Sequence, residues 1–190
     1  MNEPVKYITI GSYISYDTVW MLPESEKSAN KVMNIYGPSN SKDKLVNPVS
    51  LLKAVAPEEE YLSKGSVIPE VSLQDVENFI KGSAFIMITL SADRERNYTE
   101  AKEVIRLAQK LKVPFHIIIA KPPVQFLKDD IMDIKNKEIE AMTQNVTKDD
   151  VYSLFNTLPR DTPTADAFNQ VSKKLAFIMQ EIIKEKLERR

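Results

Sequence analysis

Several polar positions in this sequence stand directly after apolar runs, where a strand would hand its last residue to a ligand. Gly11-Ser12 follows the run VKYITI. A Gly-Ser pair at the start of a helix can offer a phosphate its backbone N–H groups and a hydroxyl; the plainer role of such a glycine is a turn that needs positive φ. Asp93-Arg94-Glu95-Arg96 follows the run AFIMITL. The arginines can attract an anion that the carboxylates repel, and as a solvated loop the same cluster contributes little. Lys121 closes the run VPFHIIIA. It either reaches a ligand or extends its stem past the strand end to water. His116, the single histidine, sits inside that run and reads as a core residue rather than a catalytic base. Tyr13, Tyr16 and Trp20 gather after the first run, as packing residues or as a purine stack. Asp129-Asp130 and Asp149-Asp150 have no third ligand in view and read as turn and cap residues rather than metal sites.

The composition removes whole classes of chemistry. With no cysteine there is no disulfide, thiolate metal site or cysteine nucleophile. A single histidine leaves no multi-histidine zinc site. Only four glycines occur among 190 residues, and they are dispersed. A backbone cradle for phosphate needs clustered glycines, so neither G-x-G-x-x-G nor a Walker A loop can be built. The 26 basic and 27 acidic residues nearly cancel, which argues against a nucleic-acid binder. No apolar run reaches the ~18 residues of a membrane helix, and no signal-peptide pattern opens the chain. The expected setting is cytoplasmic, without membrane insertion; the N-x-T triplets at Asn97 and Asn145 then carry no glycan.

These residues must be positioned by alternating strands and helices. Strands are expected at Val5–Ile10, Lys31–Tyr36, Ala84–Leu90, Val113–Ala120 and Val151–Phe155. The third and fourth are continuous apolar runs, as in strands buried on both faces. Ser72-Leu73-Gln74-Asp75 is a capping-box pattern opening a helix that stops at Gly82. Asn97 with Glu100 can cap a helix carrying Ala101, Val104, Ile105, Ala108 and Leu111 on one face. A weaker helix spans Ile131–Met142, and Thr162-Pro163 opens the last helix. The fold class is α/β: one domain over 1–190, a three-layer sandwich with a mostly parallel sheet of about five strands. Residues 39–69 form an irregular connecting segment rich in Ser, Asn, Lys and Pro.

From Ser72 onward the order of segments resembles the nucleotide-binding domain of the FtsZ/tubulin GTPase family. The helix VENFIKG leads to the strand FIMIT, and the helix Thr99–Lys112 leads to IIIAKPP, whose Lys121-Pro122 matches the family's strand end. Leu158-Pro159-Arg160 and Asp166-Ala167-Phe168 stand where the family has a Pro-Asn turn and the opening of its long central helix, and KYITIG resembles its first strand. The resemblance implies a crevice at the carboxyl ends of the strands formed by Gly11, Ser12, Asp93, Arg94 and Lys121, with Phe168 against a guanine. The family's glycine clusters are replaced by GSYISY and SADRERN, and Ser172 stands in place of the base-binding carboxylate or amide. The resemblance therefore implies a relative without GTP hydrolysis, acting in assembly through a protein partner or self-association. No cofactor is expected, although GTP is the family's ligand. The alternative is a nucleotide- or small-molecule-binding enzyme in the same crevice.

On the last helix, Phe168, Val171, Leu175, Ile178, Met179, Ile182 and Ile183 share a broad apolar face, and only Phe177 interrupts the polar back. This pattern predicts a chain complete as it stands and soluble, with Phe177 exposed or covered by a partner.

Overall fold

The structure, a computed structural model, describes residues 5–11, 21–23, 31–35, 72–92, 95–120, 129–154 and 164–188. Five strands form one sheet: β1 Val5–Ile10, β2 Val32–Ile35, β3 Phe85–Ser91, β4 Phe115–Ala120 and β5 Val151–Leu154. The order across the sheet is β2-β1-β3-β4-β5, and every neighbouring pair is parallel. The described helices are α1 Leu73–Ile80, α2 Glu95–Lys110, α3 Asp129–Thr143 and α4 Thr164–Glu188. A short 3-10 turn, Lys148–Asp150, delivers the chain into β5.

Alternation along each strand decides which helices it meets. Ile8, Ile10, Met33, Ile35, Ile86, Ile88, Leu90, Ile117 and Ile119 pack with Val76 and Ile80 of α1, Ala101, Val104 and Ala108 of α2, and Ile139 and Met142 of α3. The opposite side chains, Tyr7, Val32, Phe85, Met87, Ile118 and Ala120, pack with Leu22 and with Val171, Leu175 and Met179 of α4. The sheet therefore lies between two helical layers, which is why β3 is buried along its whole length.

The local signals for α1 hold in detail. Ser72 Oγ accepts from Asp75 N at 3.1 Å, and Asp75 Oδ2 accepts from Ser72 N at 2.8 Å. Hydrogen bonds from the Ser72 hydroxyl and backbone hold the Asp75 carboxyl below the usual carboxylate range. Gly82, at φ +69, ends the segment in the left-handed region. Glu77 lies 3.3 Å from Lys110 of α2 and 3.4 Å from Lys81, so its carboxylate ties the two helices together. Lys6 Nζ donates to Phe79 O at 2.5 Å and lies over the Phe79 ring, anchoring β1 to α1.

Several boundaries differ from expectation: β2 begins at Val32 rather than Lys31, and β3 is shifted by one residue to Phe85–Ser91. β4 begins at Phe115 because Pro114 has no N–H for the ladder, although its carbonyl still accepts from Ile86 N at 2.9 Å. α2 begins at Glu95, so Asn97 lies inside the first turn and is not the helix cap. α3 reaches from Asp129 to Thr143, slightly beyond the apolar pattern at both ends. The segment 39–69 and the Thr162-Pro163 start of the last helix lie outside the described residues.

Candidate functional site

In a parallel sheet every strand ends at the same edge. The chain passes from β1 to β2 on one side and then returns across β1 to β3 on the other. This reversal places a crevice between the carboxyl ends of β1 and β3, where open α/β sheets bind ligands. The described part of that crevice is built from Gly11, Ser91, Ala92, Asn97 and Tyr98.

Gly11 N donates to Ile35 O at 3.0 Å, which extends the β1–β2 pairing by one residue and turns the chain out at φ +96. A Cβ on Gly11 would lie 2.5 Å from Asn97 Nδ2 and 3.0 Å from Ser91 Cβ. The glycine is thus required both by its φ and by contact with its neighbour. Asn97 is buried, and its Nδ2 donates to Ser91 O at 2.7 Å. Tyr98 Oη donates to Ala92 O at 3.2 Å, and Ala92 N donates to Ala120 O at 2.9 Å. The first turn of α2 therefore reaches back and closes the end of β3. The described part of the crevice thus holds an asparagine amide that gives one of its two N–H donors to Ser91 O.

The α4 side of this edge changes character. Below Gly11 and Ser91 the register places Thr9 beside Thr89, and Thr9, Thr89 and Ser91 are all buried. On α4, Ser172 is fully buried with no hydrogen-bond partner for Oγ. A helical serine ordinarily bonds the carbonyl one turn back. An orphaned buried hydroxyl costs stability, so Ser172→Ala is expected to raise the unfolding free energy by about 1 kcal/mol. A urea titration checks this; a loss of comparable size would show that the hydroxyl is engaged.

Of the residues expected in this crevice, Gly11 stands at the end of β1 as anticipated. Ser12, Asp93, Arg94 and Lys121 lie outside the described residues, as do Tyr13, Tyr16 and Trp20. Phe168 belongs to α4, and its side chain is also outside them. The sequence presents Asn97 only as a cap. Its role at the crevice depends on Gly11, which the fold alone brings to it.

A second group lies at the opposite edge. Lys186 of α4 pairs with Asp150 at 2.6 Å. His116, on the α4 side of β4, is 4% exposed, and neither ring nitrogen has a hydrogen-bond partner. Burial first, then the Lys186 charge, lowers its pKa from 6.5 to about 4, against the opposing pull of Asp150 and Glu185. A cleft of about 290 Å³ opens nearby between Phe85, Pro114, Phe115, Gln109, Asp150 and Lys186. A neutral, enclosed imidazole of this kind is a core group, as the sequence suggests.

Among the described residues no group of three or more His, Asp or Glu side chains could hold a metal ion, and no helix is long and apolar enough to cross a membrane. A scan against protein-family models matches none of them, and a search of curated proteins finds no match.

Proposed function

We propose that this chain is a non-hydrolysing, FtsZ/tubulin-like domain that acts by protein–protein interaction or assembly in the cytoplasm. The observation that carries the reading is the Asn97 side chain, seated against Gly11 and bonded to Ser91 O at 2.7 Å. It fills the place where a nucleotide-binding relative needs open backbone N–H groups. Where such donors are blocked, charge developing on a transferred phosphoryl group would lack preorganised stabilisation. The order of strands and the long helix after the last strand fit the resembled family, and they fit other doubly wound folds equally well.

Ligand binding in the same crevice is the second reading. It is favoured by the buried Ser172 hydroxyl of α4, whose Oγ has no hydrogen-bond partner and could serve a polar small molecule. Calorimetry with GTP and magnesium separates the two. The proposed reading gives a Kd no tighter than about 1 mM, roughly −4 kcal/mol, and no phosphate release. A micromolar Kd or magnesium-dependent turnover would favour the ligand-binding reading instead.

A further inference from the structure

The outer face of α4 carries Phe177 at 65% exposure, the most exposed large apolar side chain among the described residues. Beside it a groove of about 400 Å³ is lined by Met21, Lys173, Ala176, Phe177 and Gln180. A lone exposed apolar residue needs no explanation, but the residues around this one follow a rule. At about 100° per residue, Lys174 and Glu181 lie along one flank of Phe177, and Lys173 and Gln180 along the other. Each flank pairs a residue N-terminal to Phe177 with one C-terminal to it, and the flank polarity is Lys then Glu, or Lys then Gln.

That pattern is self-complementary under one operation. When two such helices cross antiparallel with Phe177 on the two-fold axis, each flank meets its own reverse. Lys174 then faces Glu181 of the second copy, and the contact repeats by symmetry. Lys173 faces Gln180 on the other edge, and Lys184 meets Gln170 further out. In a parallel pair of the same helices the flanks exchange, so Lys174 would face Lys173 of the second copy, and Glu181 would face Gln180. The charges thus select both the partner and its direction.

We propose that the outer face of α4 is a homodimer surface, in which the Phe177 rings of two copies meet at the axis and cover each other's Met21–Ala176 groove. This rests on the interaction reading above and names its partner: a second copy of this chain. A single helix pair buries less than the roughly 1,200 Å² of a stable complex, so the dimer should be weak and concentration-dependent.

Sedimentation equilibrium from about 5 to 500 μM tests the proposal, with circular dichroism confirming that each variant is folded. The wild-type mass should rise from one chain to two and stop there. Phe177→Ser should weaken association more than about tenfold. Lys174→Glu makes one flank wholly acidic, and Glu181→Lys makes it wholly basic, so each variant alone should stay monomeric. Mixed in equal amounts they should pair again, because the acidic flank of one variant then faces the basic flank of the other. A wild-type chain still monomeric at the top of that range, dimers indifferent to both charge changes, or a mixture that fails to recover would each overturn the surface. None of these results bears on nucleotide affinity, so calorimetry can sink the interaction reading separately.

Discussion

Gly11→Ala is expected to cost about 3 kcal/mol, the largest loss of any single-methyl change in the crevice. Two causes add. The φ of +96 lies in the left-handed region, where a residue with a Cβ carries about 1–3 kcal/mol of strain. The new methyl would also lie 2.5 Å from Asn97 Nδ2, which forces the amide off Ser91 O. That carbonyl is then buried without its donor, a cost of about 1–3 kcal/mol if nothing replaces it. Asn97→Ala alone should lose about 1–2 kcal/mol through the same carbonyl. In the double variant the clash is absent and the bond is lost only once. Chemical denaturation of the four proteins should therefore give a combined loss smaller than the sum of the two single losses. Additive losses would show that Gly11 and Asn97 do not act on each other.

The second large effect is a loss of stability in acid that traces to one histidine. His116 titrates at about 4 in the folded protein and near 6.5 when unfolded. Because the folded value is depressed, the unfolded chain takes up the proton first. Stability from this group is complete above pH 6.5, falls as the pH drops towards 4, and changes no further below that. The full difference is about 3 kcal/mol by linkage, an upper figure for a ring so close to the sheet edge. His116→Leu removes the titration and also the two unpartnered nitrogens, so it should be neutral or stabilising at about pH 7. Urea midpoints at about pH 7 and pH 4 should separate by clearly less in the leucine variant than in the wild type. Asp75 and Glu77, whose carboxyls are held low by Ser72 and Lys110, lose their bonds in acid in both proteins and cancel in the comparison. An equal acid loss in both would place the sensitivity elsewhere.

Much of the fold is legible in the sequence because its determinants are local. The apolar runs of β3 and β4 announce strands covered on both faces, and Ser72 with Asp75 marks the start of α1. The four-residue spacing of Val171, Leu175 and Met179 fixes which side of α4 meets the sheet, and it leaves Phe177 as the outlier that the structure exposes. What escapes depends on residues far apart in the chain. Asn97 with Glu100 carries a cap pattern, but the helix starts earlier and spends the amide on Ser91 and its fit on Gly11. His116, Asp150 and Lys186 meet only because β4, the turn before β5 and the end of α4 share one edge. Lys6 finds the Phe79 carbonyl across most of the β1–α1 connection, and no sequence pattern points to that bond. The sequence marks Ser172 only as a missing base-binding group; its unpartnered burial is a property of the packed helix alone.

Asn97 fills the described part of the crevice at the carboxyl ends of β1 and β3, while the outer face of α4 exposes Phe177. A two-dimensional NMR titration on the labelled wild-type chain reads both places at once. With GTP and magnesium raised to about 0.1 mM, well below the millimolar limit set above, the Gly11 backbone amide and the Asn97 side-chain amide should show no saturable shift. With protein concentration raised over the dimerisation range, the amides around Phe177 should move and those at Gly11 should not. Saturable shifts of Gly11 and Asn97 at micromolar GTP would contradict the account and make the crevice a nucleotide site.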